Sequence, residues 1–95
     1  MKELKRRMQM VRAEINALQE QHDAALEQYH TLNVSEDYDD ADMMMTLAEY
    51  LGDVIGELRD EACDIDAEIR RLETAAALEQ ISAYTDAVLQ QVAAL

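Results

Sequence analysis

The chain has 95 residues, no proline, two glycines and no aromatic residue other than four tyrosines, which argues against strands and for an almost wholly α-helical domain. Its formal net charge of −13 excludes direct binding to nucleic acid or to an anionic membrane, since both need a basic surface, and favours a cationic partner. No apolar run approaches the roughly 18 residues that span a bilayer, no apolar segment follows the basic N-terminus as a signal peptide would require, and a single cysteine forms no internal disulfide. A reducing, cytoplasmic setting is expected, with no cofactor.

The first predicted element is a helix over residues 2–32. Leu4, Met8, Val11, Ile15, Leu18, His22, Ala25, Tyr29 and Leu32 alternate steps of four and three, which is the heptad stripe of a coiled coil. Asn33-Val34-Ser35 interrupts it. Asn33 tolerates the left-handed conformation that ends helices, and Ser35, or Asp37 in its place, is a good N-cap for a second helix. The turn, residues 33–37, runs into the acids Glu36, Asp37, Asp39, Asp40 and Asp42. Some of them complement the helix dipole.

The second predicted helix covers residues 37–73. Its stripe is Met44, Ala48, Leu51, Ile55, Leu58, Ala62, Ile65, Ile69, Leu72 and Ala76, all apolar. Two stripes of similar length joined by a short polar turn predict an antiparallel hairpin. Folded so that Leu32 meets Met44, it brings Ala25 to Leu51, Val11 to Ile65, Met8 to Ile69 and Leu4 to Leu72. Beyond residue 73 the register changes to Leu78, Ile81, Thr85, Val88, Val92 and Leu95. A strict register cannot slip without a stutter, a kink or a new helix. Residues 75–95 are therefore expected as a third helix, capped by Thr74, or as a continuation of the second.

The fold class expected is all-α: one helical domain over residues 1–95, an antiparallel coiled-coil hairpin packed into a homodimeric helical bundle. The dimer is argued from the second helix, whose apolar face is too wide for one partner. Met43, Leu47, Tyr50 and Val54 widen it, and Gly52 and Gly56, after Ala48, form a ridge of small residues. These six, with Ile81, Val88 and Val92, are the expected oligomer interface.

Charge is unevenly spread. Residues 2–12 carry Lys2, Lys5, Arg6, Arg7 and Arg12, whereas residues 13–58 carry no lysine or arginine. Asp53, Glu57, Asp60, Asp64 and Glu68 follow steps of three and four, forming one acidic row spaced about 5–6 Å apart. Such a row is comparable in spacing to the phosphates of a nucleic-acid strand. The turn acids, the exposed Tyr38 and this row form the candidate partner-binding surface.

Candidate chemistry is thin. An EF-hand loop starting at Asp37 would need an Asp or Asn at its fifth position, glycine at its sixth and glutamate at its twelfth, and the chain has Ala41, Asp42 and Ala48. His22 and His30 lie eight residues apart, not at ligand spacing, and His22 reads as a polar core residue that sets register. Cys63 reads as a buried, inert thiol. No nucleophile–base pair occurs, so no catalysis and no metal site is expected.

Two functions remain. In the first, the protein is an acidic inhibitor or decoy that docks on a basic, nucleic-acid-binding protein. Small acidic proteins of this composition resemble viral counter-defence factors, anti-CRISPR and anti-restriction proteins among them, by class rather than by motif; such a protein would act in a host cytoplasm. In the second, the heptads are the function, and the chain is a structural coiled-coil module or assembly adaptor.

Overall fold

A computed structural model describes residues 1–95. The chain forms two helices, α1 (Lys2–Val34) and α2 (Tyr38–Ala93), packed as an antiparallel hairpin. The molecule is a rod of 88 × 15 × 15 Å. A straight helix of 56 residues is about 84 Å long, so α2 alone sets that length. No helix is long and apolar enough to cross a membrane.

The two heptad stripes form the seam. Met8, Val11, Ile65 and Ile69 make a buried cluster, flanked by Leu4, Ile15, Leu58 and Ala62. Toward the turn the buried residues are Ala25, Ala41, Ala48, Leu51 and Ile55. Ala41 extends the second stripe one step earlier than its apolar run suggested, and at 1% exposure it is as closed as Ala48. Small residues on one helix let the partner's larger side chains interdigitate. Lys5 to Glu73 at 3.6 Å and Arg7 to Glu61 at 3.5 Å tie the helices at the open end.

The reversal is tighter than expected, and its caps differ. Ser35 is the C-cap of α1 rather than the N-cap of α2, and its hydroxyl donates to the Thr31 carbonyl. Glu36, not Asn33, takes the left-handed conformation, at φ 61°. The Glu36 amide donates to the Asn33 carbonyl and the Asp37 amide to the Leu32 carbonyl. This is the Schellman pattern, which satisfies the last carbonyls of α1. Asn33 stays helical because the pattern needs its left-handed residue just past the C-cap. Asp37 is the N-cap of α2 but makes no side-chain cap bond.

Residues 75–95 form neither a third helix nor a fold-back. Helix α2 continues unbroken through the change of register. The slip needs no kink because the two registers are two faces of one helix. They are offset by two residues, about 200° around the axis. The seam serves α1 and loses its purpose where α1 begins: Leu72 is half-buried and every residue from 73 onward is exposed. The last twenty or so residues are thus an unsupported helical arm, with Leu78, Ile81 and Val92 each about 60% exposed.

Candidate interaction surface

The acidic residues singled out in the sequence lie at the turn and along α2. Glu36 and Asp37 occupy the turn, and Asp39, Asp40 and Asp42 the start of α2, all exposed. Tyr38 beside them is 58% exposed. Asp53, Glu57, Asp60 and Asp64 are exposed on the back of α2, away from the seam, and Glu68 is half-buried.

The continuous helix joins these groups. Asp39, Asp42, Thr46, Glu49, Asp53, Glu57, Asp60, Asp64 and Glu68 follow steps of three and four, and so share one face. Glu49, which was not among the expected site residues, links the turn cluster to the row; the signal was there in its spacing from Asp42 and Asp53. Thr46 is the one uncharged position, its hydroxyl turned back to the Asp42 carbonyl. The row runs about 44 Å, with a carboxylate about every 5 Å over most of it.

Only the end of the row is neutralised. Arg71 donates from Nε to Glu68 at 3.0 Å. That hydrogen bond, and next the guanidinium charge, hold the Glu68 carboxyl below the usual glutamate range and raise Arg71 above its own. No cation lies within ion-pair distance of Asp39, Asp42, Glu49, Asp53, Glu57, Asp60 or Asp64. Arg59 donates instead to the side-chain amide oxygen Oε1 of Gln19 across the hairpin. Lys2, Arg6 and Arg12 stand without a carboxylate partner beside the middle of the rod.

The expected oligomer interface separates into two places. Met43, Leu47 and Tyr50 are exposed on the flank of the seam, and Val54 is half-buried beside them. Ile81, Val88 and Val92 lie on the arm, which they enter about 40 Å beyond Val54 along α2. The small-residue ridge mediates no close approach within the hairpin. A side chain at Gly52 would meet the His22 ring at 3.9 Å, and one at Gly56 would meet nothing.

Two other residues depart from expectation. Cys63 is exposed, because it lies one position off the seam residue Ala62 and points to solvent. His22 is on the seam but only partly covered, its side chain 24% exposed; its Nδ1 lies 3.2 Å from Asp23. That hydrogen bond first, and one from Gln19 second, hold the Asp23 carboxyl below the usual range. His30 is exposed and lies edge-on to Tyr29, with ring centres 5.3 Å apart.

The fold and surface define an all-α helical hairpin with one acidic face and an exposed apolar arm. Comparison with protein-family models, curated proteins and solved structures finds no match.

Proposed function

We propose that the chain is a non-enzymatic helical interaction protein whose acidic face docks in the basic groove of a nucleic-acid-binding protein and keeps nucleic acid out. The observation that carries this reading is the unpaired carboxylate row. Like charges at i,i+4 destabilise a helix, and opposite-sign pairs would have stabilised it by a few tenths of a kcal/mol each. A face that forgoes those pairs over about seven helical turns of α2 is held ready for cations from elsewhere. Its charge spacing, about 5.4 Å per step, is sparser than the roughly 3.4 Å rise of a nucleic-acid strand but of the same order. Tyr38, with the turn acids around it, supplies an aromatic anchor at the tip. The functional class that fits is that of viral counter-defence factors, acting in a host cytoplasm as anti-CRISPR and anti-restriction proteins do.

The test is capture from nuclease-treated lysate on immobilised protein, followed by a salt gradient and by competition with DNA or RNA. A nucleic-acid-binding protein that elutes at moderate salt and is displaced by competitor supports the decoy. Replacing Asp53, Glu57, Asp60 and Asp64 by their amides should abolish that capture without changing helicity. Capture that survives the amides, or ignores competitor, sinks the reading. The exposed arm favours a second reading, an assembly module that works through its heptads. Under it the amide variant assembles as the unaltered protein does.

A further inference from the structure

The arm has a stripe of its own, and nothing in the chain covers it. Leu78, Ile81, Thr85, Val88, Val92 and Leu95 alternate steps of three and four over residues whose every side chain is exposed. The stripe faces about 200° away from the seam, so no extension of α1 would reach it. In proteins most helical stability comes from packing of an apolar face, and the arm has none within its own chain.

We infer that the arm pairs with the arm of a second copy, antiparallel and tail to tail. Three observations select that occupant. The stripe is self-complementary when reversed: Leu78 meets the partner's Leu95, Ile81 the partner's Val92, and Thr85 the partner's Val88. Each pairing sets a first-position residue of the heptad against a fourth-position residue, as antiparallel coiled coils require. The charge also fits. Residues 75–95 carry only Glu79 and Asp86 and no cation, against a net charge of −11 on the remainder (19 acids, 8 bases). Both acids take the same heptad position, on the far side of the helix from the stripe, so two arms meet without carboxylates between them.

Orientation follows from the hairpin. Stepping the arm register back toward the N-terminus passes Thr74, Arg71 and Ala67 and then lands on Asp64, Asp60, Glu57 and Asp53. The apolar stripe and the acidic row are one face of α2. A parallel pair would press two acidic rows together; the antiparallel pair sends them to opposite ends. The lengths agree as well, because Leu95 reaches only the partner's Leu78, short of its hairpin. With each chain 88 Å long and about 27 Å of overlap, the dimer is a rod of about 150 Å with an acidic hairpin at each end. This inference does not rest on the acidic face binding anything.

The experiment is sedimentation equilibrium on the full chain and on two variants, Ile81→Glu and Val92→Lys, each checked for unchanged helicity. The full chain should approach twice its 10.8 kDa at high concentration and dissociate on dilution. Each variant alone should stay monomeric, because the new charge faces an apolar partner. An equimolar mixture should dimerise again, since only the antiparallel register sets residue 81 of one chain against residue 92 of the other. A full chain still monomeric at ~1 mM overturns the inference, as that concentration reveals even weak pairs. So does a dimer that both variants leave intact, which would place the interface on the Met43–Tyr50 flank. Variants that fail to dimerise together overturn the antiparallel register.

Discussion

Glu36 is the one residue other than glycine with a positive φ, and it closes the Schellman turn on which the hairpin depends. The left-handed conformation costs a residue with a Cβ about 1–2 kcal/mol. Glycine would remove that cost but gain about 0.5–1 kcal/mol of unfolded-state entropy. Glu36→Gly should therefore stabilise the hairpin by about 0.5–1 kcal/mol in urea denaturation. Glu36→Ala, which removes the same charge but keeps the Cβ, should not. Equal gains from both would mean that charge, not backbone, is the penalty. Two carboxyls carry a pH signature. Asp23 and Glu68 are held low by hydrogen bonds to His22 and to Arg71. Their folded values lie below their unfolded ones, so the stability they contribute is present above the unfolded value and is lost as pH falls through the folded one. The loss belongs below about pH 4. NMR titration should show Asp23 protonating below the usual aspartate range and Glu68 below the usual glutamate range.

At the level of secondary structure, α2 is one helix with three environments: a seam, an acidic back and an arm. The seam residues stabilise through burial. Ile65, 4% exposed in the central cluster, should cost about 2–4 kcal/mol when cut to alanine, enough to unfold so small a core. Ile81→Ala, at 61% exposure, should leave the hairpin's stability within about 0.5 kcal/mol when measured at concentrations where the chain is monomeric. Similar losses at both sites would mean that the arm folds back on the hairpin in solution. Gly56 offers a sharper contrast. Nothing stands near its missing Cβ, and glycine inside a helix costs about 0.8–1 kcal/mol relative to alanine. Gly56→Ala should raise the melting midpoint. A fall would show that another helix rests against it.

Across the full length of the rod, shape and charge act together. The Cα radius of gyration is 24.5 Å, about twice the roughly 12 Å expected of a compact chain of this length. A rod spreads its charge over a large surface, yet the acidic face still gathers like charges a few ångströms apart. Raising ionic strength from about 0.01 M to 0.15 M shortens the Debye length from roughly 30 Å to 8 Å. Thermal stability should therefore rise over that range, as self-repulsion is screened faster than the few cross-helix ion pairs weaken. A midpoint that falls with salt would mean that pairs such as Lys5–Glu73 and Arg7–Glu61 outweigh the row.

The hairpin was legible in the residues alone. A heptad needs only its own spacing to declare a seam, and the two stripes match in length, so the pairing of Val11 and Met8 with Ile65 and Ile69 follows from counting along the chain. The acidic row was legible for the same reason, because helical spacing puts Asp53, Glu57, Asp60 and Asp64 on one face. Other features depend on continuity and on where the partner helix stops, and these needed the folded molecule. Whether residues 73–78 break could not be read from a register shift, since a shift of two residues is either a new helix or a new face of the same one. Glu49 is not among these features, because its spacing from Asp42 and Asp53 within the expected helix 37–73 already placed it in the row. The roles of Asn33 and Ser35 were not legible because several neighbouring polar residues can cap, and the hydrogen bonds of the Schellman turn choose among them. The arm's stripe is bare for a tertiary reason too: it faces about 200° away from the seam on which α1 packs, so α1 does not cover it.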